Sequence, residues 1–273
     1  PGIEQDEDIA KELQRSLDNG YAIQCNTWKE AKKHLKKAPV LSKIGAIKRV
    51  RNGKLKTRMV VDSKQSKVLL ATRKYERAQL PRALDVVADV MSLTKNRQLG
   101  PLTQEMVEYM VADFRDAFYI VPNARSERHF FVVLYRGKYI IMLRTTQGSR
   151  GAPLTWARTI ALVMRLTQSV TGTENCRIST YVDDPLAVVT GTEPERKKLL
   201  AMILLVWAVL GLPLALDKAA RGTTATWTSA CFTPVPGGVQ VIVKASIVQE
   251  TVGMLTEFST SKYIARRKLR KCV

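Results

Sequence analysis

The sequence has very few of the residues on which several common catalytic and metal sites depend. Only two of its 273 residues are histidine, His34 and His129, so zinc–histidine sites and Ser-His-Asp catalysis are poorly supplied. The four cysteines are scattered, and no CxxC pair occurs among them. This spacing argues against a zinc knuckle, provides no disulfide framework and favours a reducing, intracellular compartment.

An uninterrupted membrane-spanning segment is also missing. Residues 199–216 form an eighteen-residue stretch without a charge, but Gly211 and Pro213 interrupt it. The twelve apolar residues that remain are fewer than the roughly 20 that a bilayer requires. Thr192 and Glu195 have the spacing of a capping box, which is typical of the start of a soluble helix. We therefore predict a buried core helix here and no membrane partner.

Positive charge is what the sequence has in excess, and it is concentrated in two zones. The formal net charge is +20, from 44 Lys and Arg against 24 Asp and Glu. Residues 29–58 hold twelve basic residues and one acid, and residues 262–271 hold six basic residues and no acid. Two such zones on a near-neutral body indicate a polyanionic partner, for which nucleic acid is the usual candidate. For the tail, a solvated surface is the alternative.

Helical and strand patterns are mixed along the chain, without an internal repeat. Gly and Pro punctuation and apolar periodicity predict helices before Gly20 and before Pro39, and over 82–95, 154–170 and 193–210. Hairpins are predicted at Asn52-Gly53, at Arg136-Gly137 and within 226–243. Residues 105–122 are expected to form a short helix followed by a strand bearing Asp113. This mixture predicts an α+β fold with helices packed on one face of an antiparallel sheet.

Two adjacent acids, Asp183 and Asp184, lie between hydrophobic runs in "STYVDDPLAVV". Ionised carboxylates are costly to remove from water unless a cation or hydrogen bonds compensate them. Taken alone, Asp-Asp-Pro also fits a surface turn. Asp113, flanked by apolar residues near a predicted strand, is the best candidate for a partner acid. Because acids of this kind can hold two divalent ions that activate a 3′-hydroxyl, the set indicates phosphoryl transfer.

Three segments carry a family resemblance: "VADFRDAFYIVP", "TTQGSRGAPLTWAR" and "YVDD" resemble, in this order, motifs A, B and C of reverse transcriptases. Upstream, "SKIGAIKRVRNGKLKTRMVVD" resembles the fingers hairpin. Downstream, "LGLPLALDKAARG" resembles motif D, and "TWTSACF" more loosely resembles motif E. The likeness runs from about Ser42 to about Val243 and is closest to polymerases of retroviruses and LTR-type retrotransposons.

The resemblance implies an RNA-directed DNA polymerase, a nucleotidyltransferase, from a retroelement Pol polyprotein. Its metal site would hold two Mg²⁺ or Mn²⁺ ions on Asp113 and Asp183, with Asp184 as a third carboxylate. Lys218 would donate a proton to the leaving pyrophosphate, although an exposed lysine after a helix is an equally simple interpretation. The partners would be a primed RNA or DNA template and deoxynucleoside triphosphates.

The same resemblance implies a nucleotide-binding set: Arg58 with Arg51 or Lys54 on the triphosphate, Gln147 and Gly148 at the nucleotide and template, and Phe118 beneath the sugar. The glycine would permit close backbone approach. In a regular strand residue 118 shares a face with Asp116 and not with Asp113, so the chain must bend before it. Asp62 and Asp116 are expected to be structural or salt-bridged.

The fold implied is a polymerase right hand with an antiparallel palm sheet backed by helices, a fingers subdomain and a thumb that is absent or incomplete. Its expected parts are an N-terminal helical basic segment (1–40), a fingers-like part with the basic hairpin (41–110), a palm-like part (111–258, with a fingers hairpin inserted at about 126–147) and a basic tail (259–273). The sequence starts at Pro1 with no signal peptide, and we expect it to be a piece of a longer polypeptide.

Two alternatives remain open at this stage. One is a catalytically inactive retroelement remnant that only binds nucleic acid through its basic zones. The other is an RNA-dependent RNA polymerase, against which Phe118 and the YVDD sequence argue. Pro185 departs from the family pattern because it follows the acid pair where an ordinary strand residue is expected. The geometry of Asp184 is therefore left undetermined by the sequence.

Overall fold

The computed structural model describes residues 3–51, 53–73, 76–95 and 106–264, with the side chains of Arg51, Lys54 and Lys56 excepted. The fold is α+β, as predicted. In the described part the helices are α1 (Glu7–Asp18), α2 (Trp28–Leu35), α3 (Val68–Ala71), α4 (Ala83–Lys95), α5 (Ala117–Ile120), α6 (Ala152–Thr171), α7 (Glu193–Val209) and α8 (Ala245–Thr260). The strands are β1 (Ala22–Cys25), β2 (Leu41–Arg51), β3 (Lys54–Asp62), β4 (Val107–Val111), β5 (Val132–Tyr135), β6 (Lys138–Met142), β7 (Cys176–Tyr181), β8 (Asp184–Thr190), β9 (Ala220–Gly222), β10 (Ala225–Trp227), β11 (Ala230–Val235) and β12 (Gly238–Val243). None of the helices described is both long enough and apolar enough to cross a membrane.

The chain divides into two compact units, of which the first comprises Pro1–Gln79 and Asp116–Leu162. Its sheet has the strand order β1-β6-β5-β2-β3, in which β2 and β5 pair in parallel and the other neighbours are antiparallel. Helix α1 packs against this sheet through Ile9 and Leu13, which are buried. Asp6 precedes the helix as its N-cap, and its carboxylate accepts the backbone N–H groups of Asp8 and Ile9.

Two of the three predicted hairpins lie in this unit and are confirmed. Strands β2 and β3 pair from Lys43↔Asp62 to Arg51↔Lys54, and Gly53 has a φ of 72°. Asn52, the other turn residue, lies outside the described residues. Strands β5 and β6 are joined by Arg136 and Gly137, with φ values of 47° and 71°. Positive φ at both loop residues is the type I′ geometry that fits the twist of a hairpin.

The second unit comprises Leu80–Arg115 and Val163–Val273. A four-stranded sheet with the order β7-β8-β4-β9 is antiparallel throughout, and β10, β11 and β12 form a three-stranded antiparallel sheet. Between them lies a core to which helix α4 contributes Val86 and Val90, strand β4 contributes Tyr109, and strand β10 contributes Trp227. The predicted fingers and palm boundaries remain a prediction.

Helix α7 begins as predicted and packs differently from the prediction. The capping box of Thr192 and Glu195 is present, and the helix ends at Val209. Leu200, Ile203 and Trp207 are buried on one face. The other face is open, since Leu205 is 63% and Val209 is 77% exposed. The prediction of a buried core helix therefore holds for one face of α7 and not for the other.

Two further predictions need correction. Residues 226–243 form parts of three strands, with turns at Thr228-Ser229 and Pro236-Gly237, and so make two successive hairpins and not one. In the segment 105–122 the order is the reverse of the prediction: strand β4 comes first and the short helix α5 follows. The alternation of Val107, Tyr109 and Val111 suits the pairing of β4 with β8 and β9, and this pairing outweighs the helical tendency of the adjoining Glu and Met residues.

Candidate active site

The central feature of the second unit is the end of strand β4, where the chain brings Asp113 beside the two adjacent acids. Strands β4 and β8 pair with the register Val111↔Leu186. The pairing continues past the strand, because Phe114 N donates to the Asp183 carbonyl at 2.8 Å. In this register Asp113 lies directly across from Asp184, with Asp183 one residue further along the loop. Asp113 was predicted near the start of a strand, and it follows the end of one.

Asp183 and Asp184 are positioned by a tight hairpin between β7 and β8. Tyr181 pairs with Asp184, which leaves Val182 and Asp183 as a two-residue loop. Val182 has a φ of 59°, a region that β-branched residues rarely adopt. Positive φ at the first loop residue alone is the pattern of a type II′ turn. The hairpin therefore holds the acid pair at the cost of a strained valine.

The start of strand β8 is fixed from a second side by Trp227, which sequence reasoning did not single out. Its indole Nε1 donates to the backbone carbonyl of Asp184 at 2.9 Å, and its ring meets that of Tyr181 edge-on. Trp227 is buried in the core beneath β4. Pro185 lies in β8 opposite Thr180, and its carbonyl accepts the Ala112 N–H at 3.1 Å. The proline therefore keeps a carbonyl hydrogen bond to the β4 side, and it is the second residue of β8, next to the strand start at which proline is tolerated.

Lys218 lies on the other side of Asp113. Strand β9 pairs with β4 in the register Val111↔Ala220, and the chain just before β9 forms a short 3-10 helix, Leu216–Lys218, that brings Lys218 to Asp113. The Lys218 Nζ is 2.7 Å from Asp113 Oδ2. The lysine side chain is 50% exposed and the aspartate side chain 19% exposed. Asp113 therefore has the acid Asp184 on one side and the ammonium group of Lys218 on the other.

A second acid on β4, Glu108, forms an ion cluster that was missed from the sequence. Its carboxylate accepts hydrogen bonds from Arg221, including one from Nη2 at 3.1 Å, and from Arg196 Nε at 3.0 Å. The Arg221 hydrogen bond, together with Arg196, holds the pKa of Glu108 below its ordinary value, although burial opposes this. The cluster joins β4, β9 and α7. Its partners are over eighty residues away in sequence, so no local pattern could have identified it.

All six residues predicted to contact the nucleotide belong to the first unit. Val61 N donates to the Gln147 carbonyl at 3.0 Å. Gly148 has a φ of 96°, and a Cβ there would lie 2.5 Å from the Val61 carbonyl oxygen. This glycine therefore permits a close approach between two backbone segments. Arg58 is exposed on β3, and the side chains of Arg51 and Lys54 lie outside the described part.

Phe118 and the neighbouring acids complete the comparison with the predicted site. Asp116 has a φ of 54° and is followed by helix α5, so the chain bends before Phe118 as its predicted role requires. Phe118 is half-buried. Asp116 forms an ion pair with Arg15, as expected for a structural acid. Asp62 accepts the backbone N–H of Lys64 at 2.9 Å, which also fits the structural expectation.

Within the described residues, no three side chains of His, Cys, Asp or Glu are grouped in a way that could hold a metal ion. The acids at the end of β4 therefore do not form a complete protein cage. A metal site that also used oxygen atoms from a bound substrate would not need a complete set of protein ligands. Mg²⁺ is commonly held in this manner, by one or two carboxylates together with substrate phosphates.

No protein-family model matches the chain, and no curated protein matches it. Solved structures do. A foamy viral protease-reverse transcriptase dRH in complex with dsDNA is similar with a TM-score of 0.65 at 15% identity, over 99% of this chain and 39% of that one. The foamy viral protease-reverse transcriptase with dsDNA gives 0.64 at 15% identity, over 99% and 47%. Its complex with an RNA/DNA hybrid gives 0.62 at 15%, over 99% and 30%.

The likeness covers nearly all of this chain, which spans less than half the length of those three structures. At this identity the comparison establishes a fold similar to that of reverse transcriptases. It does not extend to a particular type of Pol protein, and the right-hand arrangement of subdomains stays a prediction.

Proposed function

We propose that this chain is the core of a template-directed polymerase, an RNA-directed DNA polymerase from a retroelement Pol polyprotein. It would add deoxynucleotides to the 3′-end of a primer on an RNA or DNA template inside the cell. The observation that carries the proposal is the position of Asp113 beside Asp183 and Asp184 along the β4–β8 ladder. The fold likeness supports it, since the similar structures are described as complexes with dsDNA or with an RNA/DNA hybrid.

The acids at the end of β4 carry carboxylate oxygens, which are the ligands that Mg²⁺ and Mn²⁺ prefer. Asp113 already has an ammonium group 2.7 Å from Oδ2, which is consistent with a carboxylate that attracts a cation. Asp113 and Asp183 would hold the two ions, and Asp184 would assist. When bound, such ions activate a 3′-hydroxyl and neutralise charge on the leaving pyrophosphate.

The residues of the chain would supply mainly positioning and charge. The strained hairpin loop would aim Asp183, while Trp227 keeps the Asp184 backbone in place. Lys218, half-exposed on Asp113, would turn toward the pyrophosphate and donate a proton to it. Phosphoryl transfer requires little covalent chemistry from the protein, so these roles would account for most of the catalysis.

The nucleotide contacts form the finer part of the proposal. Arg58, with Arg51 or Lys54, would bind the triphosphate, and Gln147 and Gly148 would contact the nucleotide and template. Phe118 would exclude a 2′-hydroxyl, because a ribonucleotide would press that group against the ring without a hydrogen-bond partner. Phe118→Val should therefore raise ribonucleotide incorporation by roughly tenfold or more, with a smaller loss for deoxynucleotides. An unaltered ratio of kcat/KM values in a folded, active variant would remove Phe118 from the site.

The decisive experiment is primer extension on an RNA template with Mg²⁺ or Mn²⁺, comparing the parent with Asp183→Asn. Asp217→Asn is the matched control, since Asp217 is an exposed acid in the same unit. We expect extension by the parent and the control, and none by Asp183→Asn. A folded parent that binds the template without extending the primer would support the inactive remnant. A parent that prefers ribonucleotides would support an RNA-dependent RNA polymerase.

A further inference from the structure

Helix α2 presents a row of cations that the proposed chemistry does not use. The exposed cations are Lys29, Lys32 and Lys33 in the helix and Lys36 and Lys37 directly after it. In the described part of the chain, no carboxylate lies within 4.0 Å of any of their ammonium groups. Glu30, the one acid of the helix, accepts the Asn26 N–H at 2.8 Å and so caps the N-terminus of α2. The positive charge on this face is therefore uncompensated within the described structure.

The opposite face of α2 is fully engaged. Ala31 and Leu35 are buried in a cluster with Cys25, Val132 and Ile141 of the sheet. A helix that binds a membrane surface needs a free apolar face to enter the lipid. Because the apolar face of α2 is covered, its charges fit a soluble polyanion better than a bilayer.

An exposed aromatic side chain lies at the start of the same helix. The Trp28 side chain is 41% exposed, and its ring meets Tyr139 edge-on at a centroid distance of 5.8 Å. All four tryptophans are in the described part, and Trp156, Trp207 and Trp227 are buried. An aromatic ring fixed beside cations is a platform on which unpaired bases stack. Bases in a duplex are already stacked on their neighbours and cannot use such a platform.

We propose that the outer face of α2, formed by Trp28 with Lys29, Lys32 and Lys33, binds single-stranded nucleic acid. The indole stacks on a base, and the lysines contact neighbouring phosphates. The choice of nucleic acid among polyanions rests on the proposed function. The surface itself is defined without reference to the acids at the end of β4.

The test measures binding by fluorescence anisotropy, in EDTA and without nucleotides, to labelled oligo(dT) and to a blunt hairpin duplex. Trp28→Ala should weaken single-strand binding by roughly 5- to 100-fold and change duplex binding less than about twofold. Trp28→Phe, which keeps an aromatic face, should retain most of the affinity. Saturating oligo(dT) should quench the fluorescence of the parent, and this quenching should be lost in Trp28→Phe.

The charge contribution is tested with a triple variant, Lys29→Gln with Lys32→Gln and Lys33→Gln. The slope of log affinity against log salt for oligo(dT) should fall by about 2, since each single-strand phosphate contact contributes about 0.7. The control removes the same charge elsewhere, through Lys11→Gln, Lys197→Gln and Lys198→Gln, which are exposed positions. The control should leave the slope within about 0.5 of the parent.

The proposal would be overturned if Trp28→Ala bound oligo(dT) as tightly as the parent does. It would also be overturned if the variant lost affinity for the duplex by the same factor as for oligo(dT). Binding to phosphatidylserine vesicles but not to oligo(dT) would overturn it in favour of a membrane surface. Because no chemistry occurs in EDTA, a chain that fails primer extension can still pass this test. Conversely, an active polymerase can fail it, so the two proposals are tested separately.

Discussion

The two ends of strand β4 carry acids in contrasting surroundings. Glu108, near the start, is buried and receives hydrogen bonds from Arg196 and Arg221. Asp113, just beyond the end, has one ion-pair partner described, the half-exposed Lys218. A buried acid with all its partners in place stabilises the folded chain, whereas a carboxylate beside a movable cation can accept another ligand. The contrast separates a structural acid from a candidate catalytic one on a single strand.

The largest effect that would test this contrast is loss of activity in Asp113→Asn. We expect primer extension to fall by roughly a thousandfold or more, because the acid serves the reacting centre. The free energy of unfolding should change by less than about 1 kcal/mol, since only a partly exposed ion pair is lost. Single-turnover extension and urea unfolding measure the two quantities. Adding Asp183→Asn should worsen activity little, because the acids act as a unit.

If folded Asp113→Asn kept nearly the activity of the parent, Asp113 would not belong to the catalytic site. Template binding provides the control and should stay within a few-fold of the parent. A large loss of binding would mean that the acid acts in nucleic-acid contact and not in chemistry.

Glu108→Gln should show the opposite pattern, with stability lost through the two arginines left without a counter-charge. We expect a loss of about 1–3 kcal/mol at neutral pH. Because the pKa of Glu108 is lowered in the folded protein, its stabilisation is present above the ordinary pKa and is lost as the pH falls through the lowered one. The difference between parent and variant should therefore shrink below about pH 4.

Urea unfolding at neutral and acidic pH measures this difference, with Glu250→Gln as an exposed control. If the difference is the same at all pH values, the ion cluster is not its source.

The turns of two hairpins can be compared in the same way, by the backbone strain that each contains. The β5–β6 turn uses Gly137 at positive φ, whereas the β7–β8 turn uses Val182 at 59°. Relief of this strain is worth about 1–2 kcal/mol, which offsets the roughly 0.5–1 kcal/mol entropic cost of glycine. Val182→Gly should therefore leave the stability unchanged or raise it by up to about 1 kcal/mol. Val239→Gly, in the partly buried part of β12, should cost about 1 kcal/mol or more in the same urea assay.

A loss in Val182→Gly as large as that in Val239→Gly would show that the turn stores no strain. If the strain aims Asp183, Val182→Gly should also lower kcat while KM for the template is unchanged.

The smallest expected effect distinguishes two neighbouring cations on the basic hairpin β2–β3. Lys48 is 2.7 Å from Asp6, whereas Arg49 is exposed and has no ion-pair partner in the described part. Arg49→Gln should lower the log–log salt slope of duplex binding by about 0.9, and Lys48→Gln by less. Equal changes for both would mean that Lys48 leaves Asp6 when nucleic acid binds. An unchanged slope for both would mean that this hairpin faces solvent.

Local features of the fold were accessible from the sequence. Gly53 and Gly137 mark the turns of two hairpins because positive φ is a local requirement. The capping box of Thr192 and Glu195 likewise marks the start of α7. The order of the motifs also identified Asp113 and the adjacent acid pair as candidate site residues. A family resemblance is carried by the residues themselves, so it can be recognised without knowing how the strands pair.

Features that depend on pairing between distant segments were not accessible. Asp113 lies between Asp184 and Lys218 because β4 pairs with both β8 and β9, more than seventy residues away. The same pairing made strand β4 out of residues that looked helical locally. The arginine partners of Glu108 come from β9 and from the start of α7, so they follow from the fold and not from spacing.

The most direct measurement of the central proposal is a Mn²⁺ titration followed by electron paramagnetic resonance. It should include an RNA template, a dideoxy-terminated primer and the matching deoxynucleotide, so that substrate phosphates can complete the coordination. We expect the parent to bind Mn²⁺ under these conditions, and Asp113→Asn and Asp183→Asn each to lose at least one bound ion. Equal Mn²⁺ stoichiometry and affinity in the parent and in both variants would contradict the assignment of these acids to a polymerase metal site.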